Sequence, residues 1–335
     1  MQSRPKPELH SSTSSPDDQQ TEASASPVSS DHKRRHFKVG KTPIFKNRQL
    51  SDYFSLQHLT MKDESYNHFG THKDRKSLSI VNQILRDRRE RPTRCPEALC
   101  LVTAGNAGLS LVHFAEAHDL PVISFVGEGR SHQELERKCE RVISLDLTRW
   151  WSSKELRGRA GGDRRRRVRD VSNCISSPYQ TIVDEICREM NESDLPDVIV
   201  MPFGCGELFR GIEQGLLAHR LKTRLIGVAV DEIASADKLY DNFSRTGRSR
   251  GLPACRQPHR IVALKNEQLL WETYRKITDD YQLTCEPSSA VPFAALHEFH
   301  YLFESTEKVM VINTGTFNHQ RAAGVDDQQA ARPKN

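Results

Sequence analysis

DVIVMPFGCGELFRGIEQGLL, residues 197–217, is the stretch on which the fold turns. Asp197–Phe203 is a short, nearly continuous apolar run, the signature of a strand buried on both faces. Gly204, Cys205 and Gly206 end it, and from Glu207 to Leu221 the apolar residues recur at helical spacing. That spacing predicts a helix with Leu208, Phe209, Ile212, Leu216 and Leu217 turned inward. A strand running through glycines straight into a helix leaves free backbone N–H groups at the positive end of the helix dipole, an arrangement that binds anions. A plain strand-to-helix turn has the same look, because Gly-x-Gly alone is weak. No Lys-Ser/Thr follows, so this is not a Walker loop, and the full GxGxxG fingerprint with its later acidic residue is missing although Gly211 lies close by.

The same grammar extends in both directions. Ala98–Thr103, Pro121–Val126, Arg141–Leu147, Leu225–Val230 and Val309–Asn313 read as strands. Ala107–His118, Ser131–Cys139, Tyr179–Met190, Glu267–Asp279 and Ala290–Phe303 read as helices between them. Strands alternating with helices imply βαβ units, hence an α/β fold of parallel sheets covered by helices on both faces. No internal repeat is evident.

Composition narrows the class. The chain has 335 residues, 36% hydrophobic and 28% charged, with a net charge of +5. No apolar run approaches the ~20 residues that span a bilayer, so no membrane segment is expected. The N-terminus lacks an apolar signal core and carries Glu8, Asp17, Asp18 and Glu22, which argues against a transit peptide; the expected compartment is cytoplasmic, in keeping with the cysteines. Eight cysteines without paired spacing fit reduced thiols better than a disulfide framework. Residues 1–37 are polar and nearly free of apolar side chains, which predicts a disordered tail, as does the composition of residues 323–335. Residues 149–171 (RWWSSKELRGRAGGDRRRRVRDV) lack apolar periodicity and are expected to form an exposed basic loop. A polyanion is one conceivable partner of that loop, but no nucleic-acid-binding signature accompanies it and nucleic acid is not expected. Cys95 and Cys100, or His297 and His300, do not make a metal site, and no metal is expected.

Two further segments carry chemistry. Thr103-Ala104-Gly105-Asn106-Ala107-Gly108 is another strand-to-helix turn, in which Asn106 either grips a ligand oxygen or merely tolerates the turn. Lys62–Ser77 (KDESYNHFGTHKDRKS) is polar yet lies between apolar Leu59 and Ile80. It reads as a charged loop opening a helix near Thr71. A lysine beside a helix start, Lys73, feels the dipole and neighbouring cations, which lower an amine's pKa and favour Schiff-base chemistry.

The order of these pieces is more specific than any one of them. Lys-Asp-Glu…Asn…Gly-Thr-x-Lys-Asp-Arg (62–75), Thr-x-Gly-Asn-Ala-Gly (103–108), Gly-x-Gly-x-Leu (204–208), Glu-Pro-Ser-Ser-Ala (286–290) and a strand ending Asn-Thr-Gly-Thr (313–316) follow one another. The series, over roughly residues 41–320, resembles the tryptophan-synthase-β-like family of pyridoxal-phosphate (PLP) enzymes, fold type II. The resemblance implies a two-lobed domain over residues 38–322, with a smaller lobe at about 80–178 and the cofactor in the cleft. Lys73 stands where the family's lysine forms the Schiff base with PLP and moves the Cα proton. His72 matches a position that in some members contacts the phosphate. Asn106 resembles the asparagine bonded to the pyridine 3′-oxygen, and Thr103, Ala104, Gly105, Asn106 and Ala107 resemble the loop that holds a substrate carboxylate. Gly204, Cys205, Gly206, Glu207 and Leu208 match the loop around the 5′-phosphate, and Thr314 the hydroxyl facing the pyridine nitrogen. For Glu286 a supporting role is expected rather than acid–base work.

The implied activity is that of a PLP-dependent lyase or synthase on a small amino acid, close to threonine synthase and the serine/threonine dehydratases. A hydroxyl at position 314 does not enforce pyridine protonation, which suits elimination or replacement. The alternatives are a cysteine-synthase-like β-replacement and a non-catalytic PLP-binding regulatory protein. A homodimer is implied by the resemblance alone. The family pattern is not reproduced at residues 231–260, at Ser177–Thr181 or in the arginine-rich stretch.

Overall fold

A computed structural model describes residues 37–103, 105–128, 133–147, 149, 151–161, 166–172, 176–230, 236 and 259–317. The expected tails therefore lie outside the described residues, apart from Phe37, as does most of 231–260. The larger sheet holds six strands, and β1 (Ile44–Lys46), antiparallel to β2 (His58–Asp63), forms its edge. It continues, all parallel, through β10 (Lys308–Asn313), β7 (Val198–Pro202), β8 (Arg224–Val230) and β9 (Arg260–Leu264). The smaller sheet is parallel throughout, in the order β5 (Arg141–Leu145), β4 (Val122–Gly127), β3 (Ala98–Val102), β6 (Val168–Asp170).

Each sheet is apolar on both faces, and successive residues divide between two cores. In β7, Val198 and Val200 face one core with α1 (Arg48–Tyr53), α8 (Glu267–Arg275) and α9 (Pro287–Glu298). Ile199 and Met201 face the other, with α6 (Ser177–Glu189) and α7 (Glu207–Ala218). In β3, Leu99 and Leu101 meet α2 (Lys73–Glu90), α3 (Asn106–Glu116) and α4 (Gln133–Lys138), whereas Ala98 and Cys100 meet α5 (Ser153–Gly161). This two-sided burial is the continuous-apolar strand pattern expected of parallel sheets.

Two expectations need correction. Leu217 was expected inward but is 70% exposed, because the buried face of α7 follows Leu208, Phe209, Ile212 and Leu216 and position 217 falls beside it. Residues 149–171 are not simply an exposed loop, since they contain α5 and β6. Leu156 and Ala160, one turn apart, are buried, while Arg149 and Arg159 cover the buried Trp151 at 3.4 and 4.6 Å. Residues 162–165 lie outside the described set, and of the remaining arginines Arg166, Arg167 and Arg169 pair with Glu140, Glu97 and Asp87. Two apolar positions on a nine-residue helix and a three-residue edge strand are too few to show a period.

No described helix is long and apolar enough to cross a membrane. Among the described residues no group of three or more His, Cys, Asp and Glu is placed to hold a metal ion.

Candidate active site

The chemistry-bearing residues lie where the strands of both sheets end, the usual place for a ligand in an open α/β sheet. A buried ion network seats Lys73 there. Arg75 donates from Nε and Nη2 to Glu64 at 2.6 and 2.8 Å, and from Nη1 and Nη2 to Glu185 at 2.7 and 2.9 Å. Lys62 reaches Glu185 at 2.9 Å and donates to the Thr42 carbonyl at 2.5 Å. Arg75 holds the Glu64 carboxyl below its ordinary range in spite of full burial, and its hydrogen bonds help hold Glu185 at about 2 against the opposing effect of burial. Asp74 accepts from Phe69 N–H and Ser110 O–H, each at 2.7 Å, and burial pushes its carboxyl up to about 7. The polar 62–77 stretch is thus the framework of the first turn of α2, which explains why charged residues sit between Leu59 and Ile80.

Lys73 is the first residue of α2, half-buried and directly after His72. Thr71 pairs with Gly315, and the backbone N–H of His72 donates to the Thr314 carbonyl at 3.2 Å. The start of α2 is therefore stitched to the end of β10. There the Thr314 hydroxyl meets Ser289 Oγ at 2.6 Å, and Ser289 also donates to the Gly315 carbonyl at 2.6 Å. Asn313 donates to Asp63 at 2.8 Å and accepts from Gly315 N–H at 3.0 Å. Gly315 has φ +74°, and a Cβ there would lie 2.2 Å from the Gly70 carbonyl oxygen and 2.8 Å from Ser65 Cα. Gly315→Ala is expected to lower the melting temperature by roughly 4–8 °C, the equivalent of about 2 kcal/mol of strain, and to weaken cofactor binding together with it. Differential scanning fluorimetry with and without PLP checks both.

At the end of β3 in the smaller sheet, Thr103 Oγ1 accepts from the N–H groups of Gly105 and Gly108, each at 3.0 Å. Its hydroxyl thus shapes the turn, and Gly105, at φ +144°, opens α3. Ala104 lies outside the described residues; Ala107 is half-buried in the first turn. Asn106 Nδ2 donates to both carboxylate oxygens of Glu286 at 3.0 Å, and Ser288 donates to the same carboxylate at 3.0 Å. Glu286 precedes α9, which packs on the larger sheet, so this contact joins elements that pack on the two different sheets.

The 204–208 loop departs from a bare glycine turn. Gly206 caps α7 in the left-handed conformation, φ +75°, and Cys205 is exposed. Leu208 is buried in the core. Glu207, only 3% exposed, accepts from Lys76 Nζ at 2.7 and 2.9 Å. Burial opposes the Lys76 ammonium, yet the Glu207 carboxylate outweighs it and holds its pKa above the ordinary value. Tyr179 is fully buried beside His72, ring centroids 5.7 Å apart, and its hydroxyl has no hydrogen-bond partner. Burial and the adjacent Lys73 charge hold His72 well below its ordinary pKa, so it is a neutral imidazole whose Nδ1 faces the Thr314 carbonyl at 3.4 Å. Lys76, Tyr179 and Ser289 were not singled out from sequence. Lys76 directly follows the Lys-Asp-Arg motif, but nothing short of the fold reveals that it meets a residue 131 positions away.

A family profile described as "Pyridoxal-phosphate dependent enzyme" matches residues 36–145 and 168–315, omitting most of the arginine-rich segment. No curated protein matches the chain in sequence. Among solved structures, maize serine racemase superimposes with a TM-score of 0.63 at 15% identity, covering 83% of this chain and 89% of that one. The threonine deaminase of T.th. gives 0.61 at 18% identity, covering 82% and 92%. The L-serine ammonia-lyase of the fungus Rhizomucor miehei gives 0.61 at 16%, covering 84% and 96%. These likenesses establish the fold-type-II architecture, and the profile match over most of the chain establishes the family. The chain belongs to the pyridoxal-phosphate-dependent enzyme family, whose cofactor is pyridoxal phosphate.

Proposed function

We propose that the chain is a PLP-dependent lyase that eliminates the β-substituent of a small hydroxyamino acid such as L-serine or L-threonine. What supports this reading is the set of contacts that ties the turn of Lys73 to its neighbours: His72 to Thr314, Lys76 to Glu207 in the 204–208 loop, and Asp74 to Ser110 in α3. The cleft's donor set fits the cofactor. It offers an amine at a helix start for the aldehyde, a neutral hydroxyl on β10's end for the ring nitrogen, and the positive end of α7, capped by Gly206 with no side-chain cap, for the phosphate. When bound, the cofactor acts as an electron sink that acidifies the Cα–H of an attached amino acid.

This chain's residues would do the rest. Lys73 Nζ would take the Cα proton and return one, the general-base role that needs an amine within reach of the reacting carbon. Backbone N–H groups at the start of α3 would hold the substrate carboxylate, as helix N-termini do. The Asn106–Glu286 contact would keep the lobes together and water out while the leaving group departs. Thr314, a hydroxyl with Ser289 as its partner, supplies no carboxylate to stabilise a long-lived carbanion, which favours prompt loss of a β-substituent.

The test is to incubate the PLP-loaded protein with L-serine, L-threonine and O-acetyl-L-serine plus sulfide. Ammonia and 2-oxo acid in equal amounts support the lyase. A thiol-containing product points instead to replacement, and a D-amino acid to the racemase chemistry named for one structural neighbour. Cofactor uptake with no product from any of them favours a non-catalytic regulatory role.

A further inference from the structure

Two buried groups beside the 204–208 loop, Lys76 and Tyr179, and the loop's own buried Glu207 take no part in the elimination chemistry. Lys76 is 11% exposed at its side chain and donates two N–H groups to the Glu207 carboxylate, leaving the third. Lys73 and Lys76 are three residues apart on α2, so they share a face one turn apart. The Tyr179 hydroxyl, on α6, is fully buried with no hydrogen-bond partner, and the charges acting on it include those of Glu207, Lys76 and Cys205. Tyr179 cannot drift from α7. A Cβ on Gly211, one turn into that helix, would come within 2.5 Å of Tyr179 Cβ and of the Ser176 carbonyl oxygen. The glycine therefore lets α6 and α7 close together and fixes the phenol beside the helix start. A buried donor without an acceptor is rare in folded proteins and marks a place where an acceptor belongs.

We propose that Tyr179 and Lys76 are side-chain ligands of the cofactor's 5′-phosphate, supplementing the backbone N–H groups of the loop, and that Glu207 is a fixed counter-charge that limits how tightly the phosphate is held. The proposal rests on the reading of the cleft as the PLP site and deepens it. A phosphate oxygen would accept from the phenol and from the third Lys76 N–H, and such bonds to a charged acceptor are stronger than neutral ones. Glu207 works against this. Its carboxylate stands at the same helix start and cancels the Lys76 charge, so the loop offers a phosphate many donors and almost no net positive charge. A loop of bare glycines would carry neither the lysine partner nor the competing anion.

The experiment separates phosphate recognition from lysine attachment by titrating the apoprotein with PLP and, separately, with pyridoxal, which has the aldehyde and ring but no phosphate. Binding is followed by the visible absorbance of the lysine-bound form, for wild type, Tyr179→Phe and Glu207→Gln. Tyr179→Phe is expected to weaken PLP about tenfold and leave pyridoxal within about twofold. Glu207→Gln is expected to strengthen PLP at least about fivefold, again with pyridoxal unchanged. The apoprotein melting temperature supplies a second readout. Tyr179→Phe should melt no lower than wild type, because it removes an unsatisfied hydroxyl, yet should gain less on adding PLP. An unchanged PLP-to-pyridoxal ratio in Tyr179→Phe, or a weaker PLP affinity in Glu207→Gln, would overturn the proposal while leaving the PLP site itself intact. A wild type that binds neither compound would overturn the reading of the cleft and the proposal with it.

Discussion

Lys73→Ala is expected to lower turnover of the preferred amino acid by at least about a thousandfold, with the melting temperature of the apoprotein within a few degrees of wild type. A positioned acid–base group contributes about 10²–10⁴ by itself, and loss of the amine also removes the covalent anchor of the cofactor. The side chain sits half-buried at a helix start, and the turn is held by Arg75 with Glu64 and Glu185, so the fold should survive its removal. The neighbouring Lys76 is the obvious understudy, and its surroundings explain why it fails. Its ammonium is tied to Glu207, which keeps it protonated and therefore a poor nucleophile. Steady-state kinetics of the purified variant decide the matter. Retention of more than about a tenth of wild-type turnover would contradict the assignment, given the size expected of a lost acid–base group.

Arg75→Leu is expected to cost stability rather than chemistry, about 3–5 kcal/mol. The guanidinium is the shared partner of two buried carboxylates, Glu64 and Glu185, and a leucine would leave Glu64 without its cation and Glu185 with only Lys62. At this size each kcal/mol corresponds to about 2–4 °C, so a fall of roughly 10 °C is expected by calorimetry. The pH dependence has a definite sign. Glu185 has a folded-state pKa of about 2, below its unfolded value, so its contribution is present above the unfolded pKa and fades as pH falls towards 2. Asp74, raised by burial to about 7, acts in the opposite sense, and its effect weakens the fold as pH rises from about 4 to 7. Wild type should therefore lose stability towards acid more steeply than Arg75→Leu, which has already given up most of the carboxylate contribution. Equal acid sensitivity of the two proteins would count against the network.

What could be read from sequence follows from where its pattern is written. β3, β4, β7, β8 and β10 are nearly all apolar because helices cover both their faces, and α3, α6 and α7 carry their spacing over three turns or so. β2 broke the rule. Its sequence, HLTMKD, ends in Lys62 and Asp63, both buried, and partners such as Glu185 and the Thr42 carbonyl for the one and Asn313 and the Ser65 N–H for the other make that tolerable. β9 exposes Ile261 on a sheet edge, and β6 buries only Val168. Edge strands carry the weakest apolar signal.

The site divides similarly. Lys73, Asn106, the 204–208 loop and Thr314 stand out in the sequence as candidates because their motifs keep a fixed order along the chain. The side-chain partnerships were not, because they join residues far apart in sequence. Asn106 with Glu286 spans 180 positions, and Lys76 with Glu207 spans 131. Tyr179 stands in the sequence only as the first residue of a helical stretch, and its full burial without a hydrogen bond is visible only in the fold.

The central claim is that this cleft carries pyridoxal phosphate on Lys73. Its most direct test is to load the apoprotein with PLP, reduce it with sodium borohydride, digest it and weigh the peptides, beside Lys73→Ala treated in the same way. The account predicts a single phosphopyridoxyl adduct on Lys73 in wild type and none on any lysine of the variant. An adduct on Lys76 or elsewhere, or a wild type that carries none after loading, would contradict it.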